Sequence, residues 1–285
     1  MLNYLSFVHK GKLCFLKGDY QNAKEYFDKA FLIHSPINYK ELEEFEAYVK
    51  IDFFTKNVCK KTFKNVELLI KKYGYELVFF TSDSIYFQSK YKDLWELISN
   101  KYTKMRGIYL SRVNISLRDE IAKRQELDQK FRKNGRQFLS ANSNAQREID
   151  SINTERIKNI FETYGYPGYK LIGSYNIDNR IVDIEGILLH TEDSIRLNYF
   201  IPALRRFILK GECYPEIYAN LIDQYHLYGG KNQIYGTFLG PNNKVIKVDN
   251  VQKVDSMRAT IGLLSLSEKQ LLDSLTFGQY FKNSP

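Results

Sequence analysis

Apolar residues recur at helical spacing along most of the chain, and strand-like patterning is confined to one region near the C-terminal third. In residues 4–36, Gly11, Gly18-Asp19-Tyr20, Ala23, Phe27 and Ala30 are phased so that two antiparallel helices can approach closely. Gly18 serves the turn between them, and Pro36 cannot continue the second. Residues 39–55 and 61–73 predict amphipathic helices, with Phe45, Tyr48, Val49 and Phe53 on one and Phe63, Val66, Leu69 and Ile70 on the other. Residues 84–100 follow, with the single tryptophan, Trp95, among core and capping positions. A long helix is expected over 108–133, ended by Gly135. Another spans 144–164, with Ile149, Ile152, Ile157, Ile160 and Phe161 inward, and stops at Gly165-Tyr166-Pro167-Gly168. Helices then fall near 181–190, 194–210 and 215–228, with Pro202 kinking or dividing the second. Two short strands, 233–238 and 244–248, meet at the Gly240-Pro241-Asn242-Asn243 turn, and a last helix opens near Ser267 on a Ser-Glu-Lys-Gln capping box.

The fold class expected is mainly α. The spacing in residues 4–36, with Phe7 at the large-aromatic position, resembles a tetratricopeptide repeat. One repeat cannot bury its own face, so the next helices are expected to stack on it as diverged or capping units. Two domains follow from the change of character: 1–107, a tetratricopeptide-like helical module, and 108–285, a helical domain with a small β-hairpin and a polar site.

That polar site is legible as interruptions of apolar stripes. Leu117, Ile121, Arg124, Asp128 and Phe131 recur at steps of four and three, so they share one helix face. Two of the five are charged, and a buried charge is costly unless paired. An internal ion pair is one reading and a polar site the other. His190 ends the apolar run of GILLHTED, where Asp193 or Ser194 can cap the next helix; both positions also have ordinary helix-end explanations. Asp223 precedes the segment Gly229-Gly230-Lys231-Asn232-Gln233-Ile234-Tyr235-Gly236-Thr237, and Arg258 could reach a carboxylate or a substrate anion.

Composition narrows the classes. The chain has 285 residues, 44% hydrophobic and 15% aromatic, which is globular rather than disordered. Net charge is +9, but the basic residues come as scattered pairs, which disfavours nucleic-acid binding. Three distant cysteines, Cys14, Cys59 and Cys213, fit neither a disulfide framework nor zinc spacing, and are expected to be small buried residues. No segment could span a bilayer and no signal-peptide run opens the chain, so no membrane partner and a cytoplasmic location are expected. No GxSxG elbow and no phosphate-cradling glycine loop occur.

The segments LRDEIAKRQELDQKFR, the helix ending in GYP, LLHTED, LIDQ, GKNQIYGTF and VDSMRATIGLLSL occur in the order seen in a bacterial family, domain of unknown function 6624. The resemblance covers roughly residues 112–270. It implies that Arg118, Asp119, Arg124, Asp128, His190, Asp193, Asp223, Gln233, Tyr235, Gly236 and Thr237 match motif positions. Thr191, Gln224 and Phe238 depart from it, and the family label carries no activity.

Two readings remain open. In the first, the protein is a helical-repeat binding or scaffold protein, docking a protein or peptide through its N-terminal module, with a charged ligand pocket in the second domain. In the second it is a hydrolase-type enzyme, with His190, Asp128 and Asp223 as acid–base groups and Arg118, Asp119, Arg124, Asp193, Gln233, Tyr235, Gly236, Thr237 and Arg258 binding ligand. No cofactor and no metal site are expected, although a divalent metal on His190 and the aspartates is a variant of the second reading; zinc is disfavoured by the single histidine. An enzyme requires an open site with His190 within about 3 Å of a carboxylate, or bridged to it by one water. A structural network would be closed and fully satisfied.

Overall fold

A computed structural model describes residues 1–38, 43–241 and 244–282. In chain order the helices are α1 (Leu2–Leu16), α2 (Tyr20–Ile33), α3 (Glu44–Phe54), α4 (Lys60–Tyr73), α5 (Leu77–Ser82), α6 (Lys92–Leu110), α7 (Ile115–Asp128) and α8 (Arg136–Ala141). They continue as α9 (Ser143–Tyr164), α10 (Tyr169–Ile172), α11 (Glu185–Leu189), α12 (Asp193–Ile195), α13 (Ile201–Lys210), α14 (Pro215–Tyr228), α15 (Val251–Ala259) and α16 (Leu266–Lys282). The fold is mainly α, and no described helix is long and apolar enough to cross a membrane.

Two compact units divide the chain: one takes in 1–110 and 248–285, the other 111–247. The expected boundary at 107/108 lies close to the first division, while the last stretch, including Arg258, packs with the N-terminal helices.

The first unit starts from the α1–α2 hairpin. Asp19 caps α2 by accepting from the Asn22 amide, and Ala23, Phe27 and Ala30 are fully buried. A Cβ on Gly11 would lie 2.8 Å from the Phe27 ring, so glycine is what lets the helices close on each other. Residues 39–42 of the expected 39–55 helix lie outside the described residues; the rest forms α3. The core runs on through Val49, Phe63, Val66, Leu69 and Phe80 to Trp95, whose Nε1 donates to the Tyr86 carbonyl at 2.9 Å. Glu44 is buried there because Tyr4 Oη and the Ile37 and Asn38 amides all donate to its Oε1. Leu13 of α1 packs on Leu264 and Leu272, which ties α16 into the same unit. The capping box of α16 sits two residues before the expected one: Glu268 N donates to Ser265 Oγ, and Ser265 N to Glu268 Oε2.

In the second unit, α9 runs as expected, with Ile157, Ile160 and Phe161 buried; Ile152, expected inward, is exposed. Near Pro202 the expected helix is irregular rather than interrupted: a π-helical turn at Arg196–Phe200 runs directly into α13, which begins at Ile201, with helical dihedrals at the junction. The long 108–133 helix is two helices. Asn114 caps α7 through the Leu117 amide, and α7 ends at Asp128, whose carbonyl accepts from the side chains of Arg132 and Gln146. Phe131 is therefore off the helix.

The expected β-hairpin is absent. Among the described residues no strands form, and the region holds one isolated bridge, Leu239 with Val245; Asn242 and Asn243 of its turn lie outside the described residues. Side chains take the amides a ladder would use. Ile234, Tyr235 and Thr237 N–H groups donate to Asp223, and the Phe238 N–H donates to Gln233 Oε1. Cys213 is buried, but Cys59 is exposed at the start of α4 and Cys14 is half-buried, which corrects the expectation that all three are buried.

Candidate functional site

Within the second unit, α7 ends on Asp128 and α11 ends on His190, and the two side chains meet. His190 Nδ1 lies 2.9 Å from Asp128 Oδ1 and 3.0 Å from Oδ2. Asp128 sits at a helix C-terminus, where the dipole disfavours a negative charge, so it needs donors around it. It has them: Gln129 Nε2 reaches Oδ2 at 2.7 Å, and Arg132 Nη1 reaches Oδ1 at 3.2 Å. A carboxylate accepting from all sides leaves Nδ1 as the protonated ring nitrogen and Nε2 as the acceptor. Asp128 is buried, with 3% of its side chain exposed, while His190 keeps 27%. The pair therefore reaches solvent through the imidazole alone.

Behind Asp128 stands a second carboxylate. Arg132 forks onto Asp150, at 3.0 Å and 2.6 Å, and Gln146 Nε2 bridges the Asp128 carbonyl and Asp150 Oδ1. Sequence reading missed Arg132, Gln146 and Asp150, yet a signal existed. Gln146, Asp150 and Asn153 recur on α9 at steps of four and three, the same polar stripe that marked α7.

The Arg124–Asp128 pair does not form. Arg124 turns back one helical turn to Glu120 at 2.9 Å and reaches Asn153 at 3.2 Å, while Arg156 forks onto both oxygens of Glu120. The Arg156 hydrogen bonds, more than those of Arg124, bring Glu120 down to about 2. Arg118 is saturated: Nε and Nη2 fork onto Asp178, Nη1 serves the Ile172 and Gly173 carbonyls, and Nη2 also serves that of Arg180. With all five donors used and 1% exposure, it braces the chain after α10. Its bonds lower the Asp178 pKa well below the usual carboxylate range. Asp119 is an exposed partner of Arg180, at 2.6 Å.

Asp223 is apart from His190 in its bonding. Oδ1 accepts from the Ile234 and Tyr235 amides at 2.7 and 2.9 Å, and Oδ2 from the Thr237 amide and hydroxyl, both at 2.9 Å. It is fully buried. Gln233 closes the same loop by donating to the Phe238 and Ile246 carbonyls. Gly236 supplies a left-handed φ of 64°, and Tyr235 packs edge-on against Tyr218. Together these make a loop clamp rather than a reactive group: every oxygen of the carboxylate is engaged. Arg258 belongs to the first unit, where its Nε donates to the Leu264 carbonyl.

Downstream of His190, Arg196 is buried and its Nη2 donates to the carbonyls of Leu189 and Thr191, the two residues flanking the histidine. Burial lowers its pKa. Asp193, largely exposed, lies 3.3 Å from Arg196 Nη1. Among the described residues no group of three His, Cys, Asp or Glu side chains is arranged to hold a metal ion, so the divalent-metal variant has no ready ligand set.

Residues 116–282 match one protein family, described as a family of unknown function (DUF6624). No curated protein and no solved structure matches the chain.

Proposed function

The chain belongs to the DUF6624 family, and we propose that its His190–Asp128 pair is a general acid–base centre of hydrolase type. The carrying observation is the 2.9 Å contact between a buried carboxylate and Nδ1 of a histidine that is itself partly exposed. That arrangement holds the ring in one tautomer and offers Nε2 to a water or a substrate hydroxyl. Asp128 orients the ring and stabilises the imidazolium formed when Nε2 takes a proton. Arg132, Gln129 and the Asp150 brace keep the carboxylate from rotating away. Asp223 takes no part in this reading, because its oxygens are engaged by the loop.

Long-range proton–nitrogen NMR of His190 tests the arrangement, and the expected result is a ring protonated on Nδ1 in the wild type. The Asp128→Asn substitution should release that preference. Against a panel of ester, amide and phosphoester substrates, His190→Ala should cost about a hundred- to ten-thousand-fold in rate. A ring protonated on Nε2, or turnover that survives His190→Ala, would sink the proposal.

A second reading concerns the first unit. The α1–α2 hairpin closes on Gly11 and Phe27 as a tetratricopeptide hairpin would, and Leu32 near the end of α2 is 88% exposed. Both observations favour a helical module that docks a protein or peptide. Cross-linking at a cysteine placed at Leu32 should capture a partner in cells; a purely monomeric product would count against it.

A further inference from the structure

Arg196 is costly as it stands. Its side chain is 4% exposed, and Nε and Nη1 have no hydrogen-bond partner. A buried donor left unsatisfied keeps its full desolvation penalty, so such a group calls for a physical explanation. It also opens the π-helical turn at Arg196–Phe200, a backbone irregularity that often accompanies functional sites. Its other nitrogen fastens the carbonyls on either side of His190. Thus a guanidinium with donors to spare is bolted to the turn that carries the proposed acid–base centre.

Asp193, which contacts the guanidinium, also lines an open depression together with Tyr225, Tyr228, Gly229 and Lys231. Asp193 is the wall nearest the guanidinium: Oδ1 lies 3.3 Å from Nη1, without hydrogen-bond alignment. Its side chain is 57% exposed. The carboxylate is exposed while the guanidinium is buried, and because the pair lacks hydrogen-bond alignment it leaves Nη1 open to an anion that can align. The two unpartnered donors, Nε and Nη1, lie on different edges of the guanidinium because Nη2 holds the two carbonyls, so an anion in the place of Asp193 takes its hydrogen bond from Nη1, and Lys231 adds a second positive charge on the rim.

We propose that this depression is a subsite for an oxyanion, a phosphate or carboxylate group of the ligand, which displaces the Asp193 carboxylate and binds Arg196 together with Lys231. Arg196 and Lys231 bind and orient the anion; His190, held by the same turn, is the neighbouring proton carrier. As a statement about a substrate this rests on the acid–base reading of His190, but anion binding is measurable without any turnover.

Inorganic phosphate and acetate are titrated separately into the wild type, Asp193→Asn, Lys231→Met and His190→Ala at constant ionic strength. Calorimetry gives the affinity, and the Arg196 guanidinium resonances, those of Nη1 first, report the contact. Asp193 and Lys231 are both exposed, and because Asp193 is the charge partner of the buried Arg196 a thermal melt of each variant checks that it is folded before the titration. The expected result is saturable binding that moves the Arg196 resonance. Asp193→Asn should tighten it about tenfold, and Lys231→Met should weaken it about threefold or more, where tenfold corresponds to about 1.4 kcal/mol. Saturation by phosphate alone assigns a phosphate-bearing ligand, and by acetate alone a carboxylate; both support the subsite. His190→Ala should still bind, so loss of the acid–base reading leaves this result standing. An affinity unchanged by Asp193→Asn, an Arg196 resonance that does not move, or no saturation by either anion overturns it.

Discussion

Asp128 and Asp223 are both buried aspartates, at 2% and 0% exposure, and their partners give them different work. Asp223 spends all of its acceptor capacity on one loop. Alanine there would leave the buried Tyr235 amide, the half-buried Ile234 and Thr237 amides and the Thr237 hydroxyl without their acceptor; a buried unsatisfied group costs about 1–3 kcal/mol, so Asp223→Ala should lose about 2 kcal/mol or more in a urea melt. A midpoint near the wild-type value would contradict the clamp. His190 lies at the solvent side of its pair, and because Gln129 and Arg132 still donate to the buried Asp128 carboxylate, His190→Ala should cost about 1 kcal/mol, less than Asp223→Ala. The contrast separates a residue that holds the fold from one available for chemistry. Charge on an apolar stripe marked Asp128 and Arg124 as special, and residue type singled out His190. Their partners were not legible. Arg124 has a carboxylate one turn away on either side, Glu120 and Asp128, and spacing alone cannot say which wins; the Arg156 fork on Glu120 and the Arg132–His190 grip on Asp128 decide it.

At the scale of elements, agreement follows the locality of the signal. The α1–α2 hairpin is written in contiguous small and aromatic residues, and it forms. Gly11→Ala tests its geometry: the added methyl would meet the buried Phe27 ring at 2.8 Å, and overpacking of this kind costs about 1–3 kcal/mol. A thermal melt of Gly11→Ala should show that loss, whereas an unchanged midpoint would mean the helices can part freely. The missing hairpin at 233–248 shows the opposite case. Its alternation and turn residues are genuine, but Asp223 on α14 and Gln233 within the segment capture four of its amides, leaving only scattered cross-bonds such as Gln233 N to Lys247 O and Ile246 N to Phe238 O. Helix α7 likewise stops early because side chains from beyond it claim the Asp128 carbonyl. Patterns along the chain cannot show a competitor that arrives from another element.

At the scale of the whole chain, the family match at 116–282 and the compact units at 111–247 and 1–110 with 248–285 do not coincide. The C-terminal part of the matched region builds one core with α1. His9 lies in that core, 2% exposed, near Lys12 of α1, Arg258 of α15 and Lys269 of α16. Burial first, then these three cations, bring its pKa from 6.5 down to about 3. Below pH 6.5 the unfolded chain takes up a proton that the folded chain refuses, so stability is full above that value and falls as the pH drops toward 3. His9→Leu removes the titrating group while keeping the site uncharged. Comparing melting temperatures of the two chains at each pH cancels the contribution of every other titrating residue. The wild type should lose stability more steeply than His9→Leu between pH 7 and about pH 5, since the two folded forms are alike in charge there and only the unfolded chains differ. Parallel curves would mean that the folded chain accepts the proton at His9, and the closed packing of α1 against α15 and α16 would then be wrong.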